Sequence, residues 1–238
     1  MVKINRSAIK RLWYLNLILL PVFLLYPISY GILRLTIVIL LVSAFCGGLF
    51  IFWPQKIVRI TCLILLVIVA SLTLLPGREI IDTSALRQSY VQQLSKYQGS
   101  PYVWGGENKI GIDCSGLVRQ GLIKANWQQG LLSFNPNLIR KGLSLWWHDT
   151  SAVALRDEYK NYTKQLFLSP SINELNHNRI KPGDLAVTAD GVHILAYIGN
   201  QTWIEADPNY QQVIKVKIPE PNNPWFNVPI YTLQWQQF

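Results

Sequence analysis

Pro101-Tyr102-Val103-Trp104-Gly105-Gly106, a short loop, and then Asp113-Cys114-Ser115-Gly116-Leu117-Val118 form the stretch from which the rest of this chain is read. A loop containing Gly105, Gly106 and Gly111 leads into Asp113, a residue type favoured at helix N-caps. Apolar residues then recur at Leu117, Val118 and Leu122 with helical spacing. Cys114 is therefore expected to open a helix. Backbone N–H groups there lack intrahelical partners, and the macrodipole places about half a positive charge at the same end, which favours a thiolate. Cys114 is thus a candidate nucleophile. The competing reading is an inert, buried small residue, the usual state of free cysteine.

Outward from this stretch, charge is distributed unevenly. The chain has 238 residues and a net charge of +9, a balance that ordinarily raises nucleic acid as a partner. All 13 acidic residues lie from Glu79 onward, whereas eight of the 22 basic residues lie at or before Arg78. Residues 79–238 are close to neutral, so the excess belongs to the flanks of apolar segments and nucleic acid is set aside. Cys46 and Cys62 sit in the apolar N-terminal third, leaving Cys114 alone in the polar part. A single cysteine offers no internal disulfide. His148, His177 and His193 are scattered, with no second cysteine nearby, so neither a metal site nor a cofactor is expected.

Lys3, Arg6, Lys10 and Arg11 precede Leu12–Leu33, 22 residues without charge and enough to cross a hydrocarbon layer of about 30 Å. No small-residue cleavage site of the signal-peptide kind follows. After Arg34 comes a second uncharged run, 35–53. A third, 57–75, is accepted with Arg59 snorkelling to the surface. Trp13 and Trp53 fall at the ends of these runs, where aromatic anchors collect. Six positive residues (Lys3, Arg6, Lys10, Arg11, Lys56, Arg59) against two (Arg34, Arg78) place the N-terminus in the cytoplasm. The chain then reads as a membrane anchor over residues 1–78 and an outward-facing domain over 79–238.

In the second part, 81–97 reads as an amphipathic helix and the Cys114 helix fades near Asn126. Arg156 to Lys164 looks helical and exposed. Ser144-Leu145-Trp146-Trp147-His148-Asp149 has no clear period; its aromatic residues either line a groove or seal this segment onto the core. Strands are expected over 185–188, 192–198, 202–206, 213–218 and 228–233. Helices followed by closely spaced strands indicate an α+β domain with a mostly antiparallel sheet.

A nucleophilic cysteine needs a base, and His193 begins the most apolar of these strands. Alternation puts His193, Leu195 and Tyr197 on one face, and Trp203, Glu205 and Asp207 on one face of the next strand. A three-residue turn about Gly199 pairs His193 directly with Glu205; a two-residue Asn200-Gln201 turn puts them on opposite faces. In the first case the carboxylate orients the ring and favours its protonated form, which in turn supports the Cys114 thiolate.

Tyr102-Val103-Trp104-Gly105-Gly106, Asp113-Cys114-Ser115-Gly116-Leu117-Val118, Pro182-Gly183-Asp184-Leu185, and His193 with Tyr197-Ile198-Gly199-Asn200 resemble, in order, the motifs of the NlpC-type papain-like cysteine peptidases. These are mostly bacterial enzymes that cut peptide stems of the cell wall. The resemblance spans roughly 97–216. It implies a papain-like domain behind three transmembrane helices of a bacterial cytoplasmic membrane, with Cys114 as nucleophile, His193 as base and the peptide part of peptidoglycan as substrate. It also implies Tyr102 near the thiol, and Asp113 and Ser115 where the amino end of a substrate peptide is held. The third polar residue of this family is usually histidine, sometimes asparagine or glutamine, twelve positions after the base. Here that position is Glu205, with Asp207 a second candidate for the same work. The segment 127–179 is longer than the usual connection. Two further readings accompany the peptidase: a papain-like amidase or acyltransferase acting on lipid or lipoprotein, and a cell-wall binding scaffold without catalysis.

Overall fold

Pro27 decides how the N-terminal third is divided. In the structure, a computed structural model that describes residues 6–77 and 82–238, helix α1 spans Arg6–Leu25, α2 Gly31–Phe52 and α3 Lys56–Leu74. All three are long and apolar enough to cross a membrane. The first run was expected to continue to residue 33. Proline lacks an N–H and disfavours helix at the preceding residue, so the chain turns at 26–30 instead. Arg34 consequently lies inside α2 rather than between two helices. Pro21 remains within α1. Trp13 ties α1 to α2: its indole N–H donates to the Ala44 carbonyl at 2.8 Å, and its ring fills the space left by Gly47. Asn16 adds a second polar tie, its Nδ2 donating to Leu40 O and Ser43 Oγ. Such contacts hold helices together where no hydrophobic difference separates helix from lipid. Lys3 and Arg78, both used in the charge count, lie outside the described residues, as does the 78/79 boundary.

Asp82 caps α4 (Thr83–Ser95) by accepting from the Ala85 N–H at 3.0 Å. The short strands β1 (Glu107–Asn108) and β2 (Gly111–Ile112) pair with each other and lead into α5, Cys114–Leu132. This helix continues past Asn126 because its last turns are also covered, with Gly130 packed against Ile139 of α6 (Pro136–Trp147). Residues 144–147 are the final turn of α6. The helix expected over 156–164 does not form. Helix α7 (Ala152–Arg156) stops there, positive φ angles at Glu158, Lys160 and Asn161 break the path, and β3 (Thr163–Ser169) follows.

β3 joins β4 (Leu185–Thr188), β5 (Ile194–Gly199), β6 (Thr202–Asp207), β7 (Gln212–Lys217) and β8 (Ile230–Trp235) in one antiparallel sheet ordered β3-β8-β4-β5-β6-β7. One face, with Leu185, Ile194, Ala196, Ile204 and Ala206, packs on Leu117, Val118 and Leu122 of α5 and on Tyr90 and Leu94 of α4. The other face, with Leu195, Tyr197 and Trp203, is covered by Ile172, Leu175, Ile180 and Phe226. Burial on both faces explains why β4 and β5 read as continuous apolar runs.

Candidate active site

Asp113 builds the entrance to α5. Its Oδ1 accepts from the Gly116 N–H at 2.5 Å and from Ser115 Oγ at 3.0 Å, while Oδ2 accepts from the Gly105 N–H at 2.8 Å. One carboxylate therefore fixes both the helix start and the glycine loop before it. Burial pushes this carboxyl above its usual range, opposed by those hydrogen bonds and by Arg119. Gly105 has φ +73°, which glycine tolerates. A Cβ on Gly116 would stand 2.2 Å from the Gly106 carbonyl, so the loop can press onto the first helical turn only with glycine there.

This arrangement places Cys114, itself buried, at the N-terminus of α5. His193 sits just before β5, with Cys114 close enough to its ring to help raise its pKa. Its Nε2 is 2.7 Å from Glu205 Oε2. Trp225 stacks on the imidazole with centroids 4.4 Å apart and planes 21° from parallel. The other oxygen of Glu205 accepts from Asn223 Nδ2 at 2.7 Å. Burial pushes the His193 imidazole down, but hydrogen bonds and charge from Cys114 and Glu205 outweigh it and bring the ring up to about 9. Burial also pushes the Glu205 carboxyl above its usual range, with His193 and Asn223 opposing. A histidine held between a thiol and a carboxylate can carry a proton from one step of a reaction to the next.

The route to this contact differs from the expected direct pairing. The turn is the two-residue one, with φ of +53° at Asn200 and +56° at Gln201 and Gly199 opposite Thr202. A bulge between Tyr197 and Gly199 then shifts the register, giving Tyr197↔Trp203 and Ala196↔Ile204. The extra residue restores the parity that the short turn would have reversed. In that register Glu205 faces Leu195, and it meets His193 diagonally. Asp207 does not touch the ring; its carboxylate accepts from the backbone N–H groups of Asn209 and Tyr210 and from Asn223.

Tyr102 is half-buried beside the thiol. Its phenol is pushed up by burial and then by Cys114, Asp113 and Asp207. Cys114, Asp113 and Ser115 line a cleft of about 390 Å³ together with Trp104, Val153 and Val192. Trp146 and Trp147 do not reach it. His148 is occupied elsewhere, with Nδ1 against Ser144 O and the Tyr162 hydroxyl. Asn223 and Trp225 were missed by sequence reasoning: they lie in the irregular stretch Pro221-Asn222-Asn223-Pro224-Trp225, which carries no period.

A cysteine opening the helix that packs on an antiparallel sheet, with a histidine just before a strand of that sheet, places both in one α+β domain. Residues 99–134 match the NlpC/P60 family. The match covers the Cys114 loop and helix, and the domain that contains it is preceded by three helices apolar enough to span a membrane. It is 25% identical over 125 residues to Dipeptidyl-peptidase 6 of Lysinibacillus sphaericus, covering 52% of this chain and 34% of the relative. It is 46% identical over 39 residues to the bifunctional muramidase/DL-endopeptidase CwlT of Bacillus subtilis, covering 16% of this chain and 12% of the relative. The matched region thus spans about a third or less of these relatives' lengths. Among solved structures, the peptidoglycan hydrolase RipB of Mycobacterium tuberculosis aligns at 19% identity and a TM-score of 0.40, over 66% of this chain and 72% of RipB.

Proposed function

We propose that this chain is a membrane-anchored cysteine hydrolase that cleaves amide bonds in the peptide stems of peptidoglycan. The observation that carries the reading is the His193 ring bonded to Glu205 and close enough to Cys114, at the start of α5, to be raised by it. In the proposed reaction the Cys114 thiolate attacks the amide carbonyl, and the oxyanion is met by the Cys114 N–H at the helix start. Protonated His193 gives its proton to the departing amine as the C–N bond breaks. The neutral ring then takes a proton from water as the water oxygen attacks the thioester, the C–S bond breaks, and the sulfur leaves as thiolate beside the protonated ring, which restores the starting pair. Glu205 holds the ring in orientation through both steps. The Asp113–Ser115 corner lines the cleft where a peptide's amino end would lie, with Tyr102 close to Cys114. The relatives support the substrate class, since their names include a dipeptidyl-peptidase and a DL-endopeptidase.

For topology, the charge excess beside the first apolar run supports a cytoplasmic N-terminus, which after three crossings puts the domain 79–238 outside. The domain docks on the helix ends that carry 26–34 and 73–75, as that arrangement requires: Arg140 Nη1 donates to Thr73 O and Leu75 O. The test is digestion of purified peptidoglycan by the full chain, with mass analysis of the products. New amino ends within stem peptides, absent with Cys114→Ala, are expected. Transfer of a fatty acyl group, or activity unchanged in Cys114→Ala, would contradict it.

A further inference from the structure

The turn between α1 and α2 is built into the domain beside Cys114. Ile28 forms an antiparallel bridge with Gly106. The Ser29 N–H donates to Gly105 O at 3.3 Å, and the Glu107 N–H donates to Pro27 O at 2.9 Å. Asn108 Nδ2 reaches the carbonyls of Leu25 and Tyr26 at 3.2 and 2.9 Å. Segment 25–29 is thereby added along the edge of the glycine loop that Asp113 fixes.

Arg34 secures the same joint from within α2. It is 0% exposed, in a helix whose other residues are nearly all apolar. Its guanidinium donates to Ser29 O at 2.7 Å and to Glu107 Oε1 at 2.6 Å, and lies 3.6 Å from Asp149. Glu107 also pairs with Arg119 of α5, which donates to Asp149 Oδ1 at 3.1 Å and to the carbonyls of Leu145 and His148. A buried guanidinium on an apolar helix is costly unless paired, and a lysine or arginine serving only to orient the helix would remain in water. Two arginines and two carboxylates from α2, β1, α5 and the end of α6 thus converge at one wall of the cleft. Ser29 and the half-exposed Tyr30 line that wall facing Cys114.

We propose that the α1–α2 turn is a wall of the substrate cleft: Tyr30 contacts the bound peptide, and Arg34 is a positioning residue that holds this wall against Glu107. The inference rests on the reading of Cys114 as the nucleophile. A domain released from its helices would lack one side of its binding site, so the full chain is the object to test.

The full chain in detergent micelles is treated with iodoacetamide, which needs only the thiol, and with a peptidyl chloromethyl ketone, which must also seat a peptide. Modification of Cys114 is followed by mass mapping so that Cys46 and Cys62 do not interfere. In Tyr30→Ala the ratio of peptidyl-probe rate to iodoacetamide rate is expected to fall about tenfold, through weaker binding of the probe, as for loss of one packed aromatic contact. In Arg34→Lys the ratio falls as well, and adding Tyr30→Ala to it produces little further loss, the non-additivity of a residue that acts through another. A ratio unchanged in Tyr30→Ala, with Cys114 still reacting, would overturn the wall while leaving the nucleophile standing. A Cys114 inert to both reagents in the unmodified chain would overturn both.

Discussion

His193 carries the charge on which the proposed chemistry depends. Because its ring is raised to about 9, its protonated form contributes stability in full below the ordinary value of about 6.5, and that contribution is lost as pH rises through about 9. Hydrolysis and resistance to urea are both expected to decline across that window. In Glu205→Gln the decline moves to lower pH and turnover drops on the order of 10²-fold, measured as rate against pH from 5 to 10. The acid limb is expected above the range of an ordinary carboxylate, since Glu205 is raised and takes up its proton early. Cys114, His193 and Glu205 were legible because helix spacing and strand alternation each carry a period. Asn223 and Trp225 were not, since a residue delivered by an irregular loop leaves no periodic trace, and only the buried contacts to Glu205 and His193 reveal them.

Among elements, the start of α5 and the β5–β6 hairpin set the geometry. Gly116→Ala places a methyl group where the Gly106 carbonyl already stands. It is expected to destabilise the domain by about 1–3 kcal/mol and to shift Cys114 away from His193. Urea unfolding and the iodoacetamide rate read the two effects. The hairpin shows where sequence reading stops short. Parity along each strand was readable, but the register depended on turn length and on a bulge at Ile198, neither of which alternation encodes. β3 escaped for a related reason. It is an edge strand with its own bulge between Gln165 and Phe167, so its sequence Thr163-Lys164-Gln165-Leu166-Phe167 shows no clean alternation.

For the whole molecule, the joint between helices and domain is electrostatic and buried. Arg34→Met leaves Glu107 with one guanidinium fewer and is expected to cost about 3–5 kcal/mol, read as a lowered thermal midpoint of the full chain in micelles. The apolar runs announced three helices, but Arg34 looked like an ordinary boundary charge because its partner lies 73 residues away. Protease added outside intact spheroplasts is expected to digest the domain and spare residues before α1; protection of the domain would reverse the proposed orientation. The proposed chemistry requires Cys114 and His193 to work as a pair. The most direct test is the rate of Cys114 alkylation by iodoacetamide in the full chain at pH 7, with and without His193→Ala. Rapid alkylation is expected, falling on the order of 10²-fold in the variant. Equal rates in two folded proteins would contradict it.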